Sequence, residues 1–150
     1  MTDLSDKGIL VVDDDAAFRE AVSQVLAYSG LTRIYQADGA SKCMSILNQL
    51  GREIYLVLLD LSLPGLSGFD IMGQLGGSHP YALGVIAITG VYGRERAQEF
   101  FKLGSERVVP IEFTTKPFDG PELVRKVQHS LNLIHTSRSD RALYGAGTGA

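Results

Sequence analysis

Short aliphatic runs rich in branched residues alternate along this chain with longer segments whose apolar positions recur every three or four residues. That alternation constrains the fold more than any other feature. The runs are KGILVV (7–12), TRIYQA (32–37), YLVLLD (55–60) and LGVIAIT (83–89), with a fifth inside RVVPIEFTT (107–115). The third and fourth are almost unbroken in aliphatic residues, as strands covered on both faces require. Between the runs, Phe18, Ala21, Val22, Val25 and Leu26 make a first helical stripe, which Ser29-Gly30 ends. Ala40, Cys43, Met44, Leu47 and Leu50 make a second, and a Gly-containing third helix lies near Phe69 to Leu75. Ala97, Phe100, Phe101 and Leu103 belong to a fourth, stopped by Gly104. The last begins at Asp119-Gly-Pro-Glu122, read as an N-cap, an N1 proline and an N3 acid, and continues through Leu123, Val127, Leu131 and Ile134. Strand and helix in repeated alternation predict an α/β fold, with a parallel sheet, helices on both faces and right-handed crossovers.

In such sheets the chemistry gathers beyond the carboxyl ends of the strands. Asp13, Asp14, Asp60, Thr89 and Lys116 all fall at or just past predicted strand ends, so the fold would bring them to one rim. The stretch ILVVDDDAAF crowds three carboxylates at the end of a strand, where they repel one another and resist desolvation. Either they are solvated turn and cap residues or a positive group sits among them. Asp15 has the first explanation, since it directly precedes the helical segment AAFREAV and reads as its cap.

A length of 150 residues fits about one domain with a self-sufficient core. The net charge of −3 provides no basic field, which argues against direct binding of nucleic acid. Cys43, in the apolar run CMSIL, reads as a buried reduced thiol, and a single cysteine excludes an internal disulfide. No signal peptide is visible at the N-terminus, and no apolar stretch reaches the roughly 20 residues that span a bilayer. The expected location is therefore the cytoplasm, away from membranes. His79, His129 and His135 show no metal-ligand spacing and read as surface residues. The sequence divides into a domain of residues 1–135 and a small, polar, Gly-rich end (136–150), expected to be a flexible tail or truncated linker.

Four motifs in order, VVDDD, LLDLSLPGLSG, AITG and TTKPF, each at a strand end, resemble the receiver domain of two-component response regulators, the chemotaxis-receiver type. The resemblance covers roughly residues 8 to 135. It implies a flavodoxin-like, doubly wound five-stranded parallel sheet of order 2-1-3-4-5. It also implies Mg²⁺-dependent transfer of a phosphoryl group to Asp60 from a sensor histidine kinase or a histidine phosphotransfer protein. In that scheme Asp14 is a direct metal ligand, Asp13 acts largely through water, and Asp60 and the backbone carbonyl of Ser62 complete the protein donors. A hard cation that keeps several waters needs few protein oxygens, so a sparse set suffices. Lys116 would meet the phosphoryl oxygens, in the family after a cis Lys-Pro bond. Thr89 would move toward them, and an aromatic on the fifth strand would turn inward behind it. The face made by the fourth helix, fifth strand and fifth helix would then change. Such a domain is a phosphoacceptor that assists its own phosphorylation and dephosphorylation, not an enzyme acting on other substrates. Its output passes to a downstream protein target or to an output domain missing from this sequence, and a homodimer is left open.

The span from Gly104 to Lys116 is longer than the family's usual link by about the five residues IEFTT. Two registers follow. With the strand at IEFTT, Phe113 stands three before Lys116 and matches the switch aromatic. With the strand at RVV, Phe113 lies in an insertion. Ser62 and Val91, two residues beyond Asp60 and Thr89, offer no carboxylate or amide to hold an attacking water, which implies slow to moderate self-dephosphorylation.

Rival readings fit less well. A haloacid-dehalogenase-like, Mg²⁺-dependent phosphatase wants a second Asp two residues after the nucleophile, where this chain has Ser62, and its cap domain does not fit the length. A flavin or nucleotide module needs a loop of N–H donors after the first strand, where this chain has three acids. A vestigial receiver serving as a protein-binding scaffold would have no use for the complete set Asp13, Asp14, Asp60, Thr89 and Lys116.

Overall fold

The computed structural model describes residues 3–62, 67–78, 80–90, 94–105 and 107–148, with backbone alone for 76–78, 94–97 and 141–148. Pro64-Gly65, His79, Val91 and the side chain of Ala97 lie outside the described residues. Five parallel strands run β1 (Gly8–Val12), β2 (Ile34–Ala37), β3 (Ile54–Asp60), β4 (Leu83–Thr89) and β5 (Val108–Thr115), ordered β2-β1-β3-β4-β5 as expected. The helices are α1 (Ala16–Tyr28), α2 (Ala40–Leu50), α3 (Gly68–Ser78), α4 (Arg94–Lys102) and α5 (Gly120–Thr148).

Alternation along the central strands explains why both faces are covered. Leu10, Val57, Leu59, Val85 and Ala87 pack with Cys43 and Leu47 of α2, Ile71, Met72 and Leu75 of α3, and Phe100 of α4. The intervening Ile9, Val11, Leu56, Leu58, Ile86 and Ile88 pack with Val22 and Leu26 of α1 and Leu123, Val127 and Leu131 of α5. A one-residue slip would exchange the two sets, so the register is strongly specified. Burial pushes the Cys43 thiol up to about 12, which keeps it protonated and unreactive in the core.

The helix ends follow local chemistry. Asp15 accepts the Phe18 N–H at 3.2 Å and caps α1, as expected, and Gly30 supplies the positive φ (91°) just beyond its end. Asp119 caps α5 through the Glu122 N–H at 3.0 Å, which puts Pro121 second in the helix rather than first. Its missing N–H is still among the donors left free at a helix start.

Both candidate registers of the fifth strand prove to be parts of one long strand. The pairing shifts between Val85 and Ile86: Val85 faces Pro110 while Ile86 faces Glu112, so Ile111 is an extra, bulged residue. Pro110 fits there because β5 is an edge strand and a proline cannot donate to a ladder. Ile111 turns over Gly84, where a Cβ would meet its Cδ1 at 2.7 Å and Cγ1 of Ile134 at 2.9 Å. The bulge resets the alternation, and Phe113 then faces Ala87 while Thr115 faces Thr89.

The helix α5 continues without interruption to Thr148, through most of the segment 136–150 that the sequence suggested as a flexible tail or truncated linker. Adding a residue to an existing helix fixes only one more set of dihedrals per hydrogen bond, so weak periodicity does not stop it. Arg138 holds the continuation, donating to the carbonyls of Ala82 (2.9 Å), Arg52 (2.6 Å) and Ile54 (2.7 Å). No helix among the described residues is long and apolar enough to cross a membrane.

Candidate functional site

Four strand ends meet at the carboxyl rim. β1 delivers Asp13 and Asp14, β3 ends in Asp60, β4 ends in Thr89, and β5 ends one residue before Lys116. The Lys116 N–H donates to the Thr89 carbonyl at 2.8 Å, which extends the β4–β5 pairing to the lysine itself. Its bond to Pro117 is cis, as the resemblance implied. Close behind lies Gly68, where a Cβ would stand 2.7 Å from the Asp60 carbonyl oxygen and from Cα of Leu61. Only a residue without a side chain lets α3 begin so near the strand end.

Asp13, Asp14 and Asp60 each place a carboxylate oxygen within 4.8 Å of the other two. Asp13 and Asp60 are buried and Asp14 is exposed. One oxygen of each buried acid is held by local backbone: Asp13 Oδ1 accepts the Asp15 N–H at 2.9 Å, and Asp60 Oδ1 accepts the Ser62 N–H at 2.8 Å. The second oxygens turn to Lys116, whose Nζ stands 2.6 Å from Asp13 Oδ2 and 3.3 Å from Asp60 Oδ2. Asp13 Oδ2 is buried with no well-aligned hydrogen bond, and the lysine answers it by charge and proximity.

One ammonium thus faces two of the three clustered carboxylates, and Asp14 adds a further negative charge beside them. Two like charges at about this separation repel by roughly 3 kcal/mol at an effective dielectric near 20. That is a sizeable fraction of a small domain's stability. The cluster therefore has room, in charge and in oxygen donors, for a hard cation. Burial disfavours the charged form of Lys116, but its close pairing first with Asp13 and then with Asp60 outweighs this and holds the ammonium above its ordinary value.

Thr89 is fully buried, and its hydroxyl lies 3.2 Å from the Ser62 hydroxyl. Phe113, on the same sheet face as Thr89, packs against Phe100 with ring centroids 6.5 Å apart. The RVV-only register, which would leave Phe113 in an insertion, is excluded. His129 is exposed and His135 half-buried, and among the described residues neither joins a metal-ligand cluster.

Three participants escaped the sequence reading. The Ser62 side chain reaches Thr89, although the sequence reading weighed that side chain only for its lack of an acid or amide. Arg19 donates to the Asp13 carbonyl at 2.6 Å and to Gln36 Oε1 at 3.1 Å, bracing the backbone that carries the acids. The Phe18 ring lies under Lys116 Nζ at 4.3 Å from its centroid, and Phe118 meets it edge-on at 5.6 Å and 87°. Position was the available signal for both α1 residues, since they occupy its first turn beside the acids.

A family model described as the response regulator receiver domain matches residues 9–128. The chain is 30% identical over 134 residues to the response regulator protein FleR of Pseudomonas aeruginosa, covering 88% of this chain and 26% of that protein. It is 32% identical to the regulatory protein VanR of Enterococcus faecium, covering 85% of this chain and 51% of the relative. Among solved structures, a response regulator receiver protein from Pseudomonas putida superposes with a TM-score of 0.72 at 31% identity, over 82% of this chain and 96% of the other. Across these curated relatives the chain spans about a quarter to half of their length.

Proposed function

The chain belongs to the response regulator receiver family, and from that membership we propose that it accepts a phosphoryl group on Asp60 from a phosphohistidine of a sensor kinase or phosphotransfer protein. The observation that carries this reading is the single rim at which Asp13, Asp14, Asp60 and Lys116 converge. An Asp60 carboxylate oxygen forms a bond to phosphorus, the N–P bond of the donor breaks, and its electron pair returns to the imidazole nitrogen. Asp60 Oδ1 is tied by the Ser62 N–H, which leaves Oδ2 as the nucleophile.

Mg²⁺ fits the donor set, because its three side-chain donors are carboxylates and one buried oxygen of Asp13 lacks a well-aligned hydrogen bond. Asp13, Asp14, Asp60 and the Ser62 carbonyl would hold it. When bound it would neutralise charge between the nucleophile and the anionic phosphoryl group. Lys116, whose ammonium stands between Asp13 and Asp60, contributes a positive charge for the phosphoryl oxygens. Thr89 gives up Ser62 to donate to a phosphoryl oxygen, and Phe113, already packed against Phe100, turns further inward behind it. The altered surface is formed by α4, β5 and α5, and it is read by a protein target or an output domain, with no direct role for nucleic acid or membrane. The protein is then a stoichiometric phosphoacceptor in the cytoplasm. Ser62 and Val91 supply no acid or amide for an attacking water, so the aspartyl phosphate decays slowly to moderately. An amide placed at Val91 should alter its half-life.

The test is intact mass after incubation with Mg²⁺ and acetyl phosphate, for wild type and Asp60→Ala. Uptake of one phosphoryl group by wild type alone supports the reading. No uptake, or equal uptake by the variant, overturns it.

A further inference from the structure

Lys116 has two kinds of neighbour, and only one kind has been given a role. On one side stand the carboxylates of Asp13 and Asp60. On the other lies the Phe18 ring, with its centroid 4.3 Å from Nζ, inside the range at which an ammonium is attracted to a ring face. Phe18 itself is held from three directions. Asp15 accepts its N–H, Phe118 packs edge-on against the ring, and the ring sits half-buried against the core cluster shared by α1 and α5. Phe118 follows Lys116 by two residues, so the segment that carries the lysine also fixes the ring beneath it.

We propose that Phe18 is a positioning residue for Lys116, holding the ammonium beside Asp60 through its ring face. The proposal rests on the phosphoacceptor reading above for its consequence, though not for its geometry. A lysine stem is flexible, and the Lys116 side chain is 24% exposed, so it has an outward route into water. The carboxylates cannot be its only restraint in that role, since the same oxygens are the donors for a metal and the nucleophile. A ring face attracts the ammonium without competing for either. It adds no negative charge to a cluster that already has an excess and would meet an anionic phosphoryl group. Asp15 takes part indirectly, because the third acid of the triplet sets the helix start from which the ring projects.

The experiment uses the full chain with four variants: Phe18→Leu, Phe18→Tyr, Lys116→Ala and the double variant Phe18→Leu/Lys116→Ala. The first readout needs no phosphorylation. With Nζ over the ring face, the adjacent Lys116 ε-methylene is expected to be shielded in proton NMR, shifted upfield in wild type and Phe18→Tyr and returned to the ordinary lysine position in Phe18→Leu. The second is the rate of phosphoryl uptake with Mg²⁺ and acetyl phosphate. Phe18→Leu is expected to slow it about fivefold, the scale of an interaction near 1 kcal/mol. Phe18→Tyr stays within about twofold of wild type, and Phe18→Leu has no further effect once Lys116 is alanine. An unshifted methylene in wild type overturns the placement. An equal slowing by Phe18→Leu with and without Lys116 overturns the positioning role and leaves packing. A wild type that shows the shift but takes up no phosphoryl group instead sinks the phosphoacceptor reading, and with it the catalytic consequence of the ring.

Discussion

Each end of the sheet holds a cation against an aromatic ring, but the two are satisfied in opposite ways. At the carboxyl rim Lys116 lies over Phe18 and is answered by the charged carboxylates of Asp13 and Asp60. At the amino-terminal edge Arg138 lies over Tyr55 at 3.9 Å and near Tyr81 at 5.7 Å, answered by three neutral backbone carbonyls. Burial holds the Arg138 guanidinium below its ordinary value, with the charge and hydrogen bonding of Tyr55 opposing. The Lys116 ammonium is held above its own, because two acids more than offset its burial. Carbonyls satisfy a planar cation without leaving a charge to be rearranged. Carboxylates in excess leave a site that a further cation relieves. The edge is satisfied by neutral groups, and the rim leaves a surplus of negative charge.

The largest effect that could break this contrast is on stability at the edge. Arg138→Met should lower the free energy of unfolding by about 2–3 kcal/mol, since three carbonyls lose a charged donor and α5 loses its anchor. Urea unfolding measures it, and phosphoryl uptake per folded molecule should be unchanged. A loss below about 0.5 kcal/mol would make the edge as loosely held as an ordinary surface pair.

At the rim the sign should reverse. Asp13→Asn, measured without divalent ions, should stabilise the protein by about 1 kcal/mol, because one of three crowded charges is removed while Asp60 keeps Lys116. A destabilised variant would mean that the pairing of Asp13 with Lys116 outweighs repulsion, and the two ends would then be alike.

The smallest effect concerns pH. The folded protein holds the Lys116 ammonium above its ordinary lysine value, so its contribution to stability is fully present below that ordinary value and is lost as pH rises through the higher folded one. The difference in urea midpoint between wild type and Lys116→Met should therefore be flat through neutral pH and shrink only in strong alkali. A difference that already declines below the ordinary lysine range would show that the acids do not hold the charge.

The same contrast explains what was legible in the chain. The strands and helices were readable because branched aliphatics at period two and apolar stripes at helical period are separated by capping residues such as Asp15 and Gly30. Asp13, Asp14, Asp60, Thr89 and Lys116 were readable because a parallel sheet places consecutive strand ends on one rim. The bulge at Ile111 was not readable: Val, Ile, Phe and Thr all suit a strand, so nothing local marks the residue that goes unpaired. The course of α5 past Ile134 was hidden by its serines, threonine and histidine, which carry no stripe. The rings under Lys116 and Arg138 were hidden for another reason. Phe18 and Tyr55 lie far from their cations in sequence, and a core position looks the same whether or not a charge rests on it.

The most direct measurement of the central claim is the urea midpoint with and without Mg²⁺, for wild type and Asp13→Asn. Wild type should gain stability with added Mg²⁺, reaching about 2.7 kcal/mol when the ion is present at about a hundred times its Kd. Asp13→Asn should gain far less at the same concentration. Equal gains in both proteins, or none in wild type, would contradict the account of the rim as a surplus of acids matched to a divalent cation.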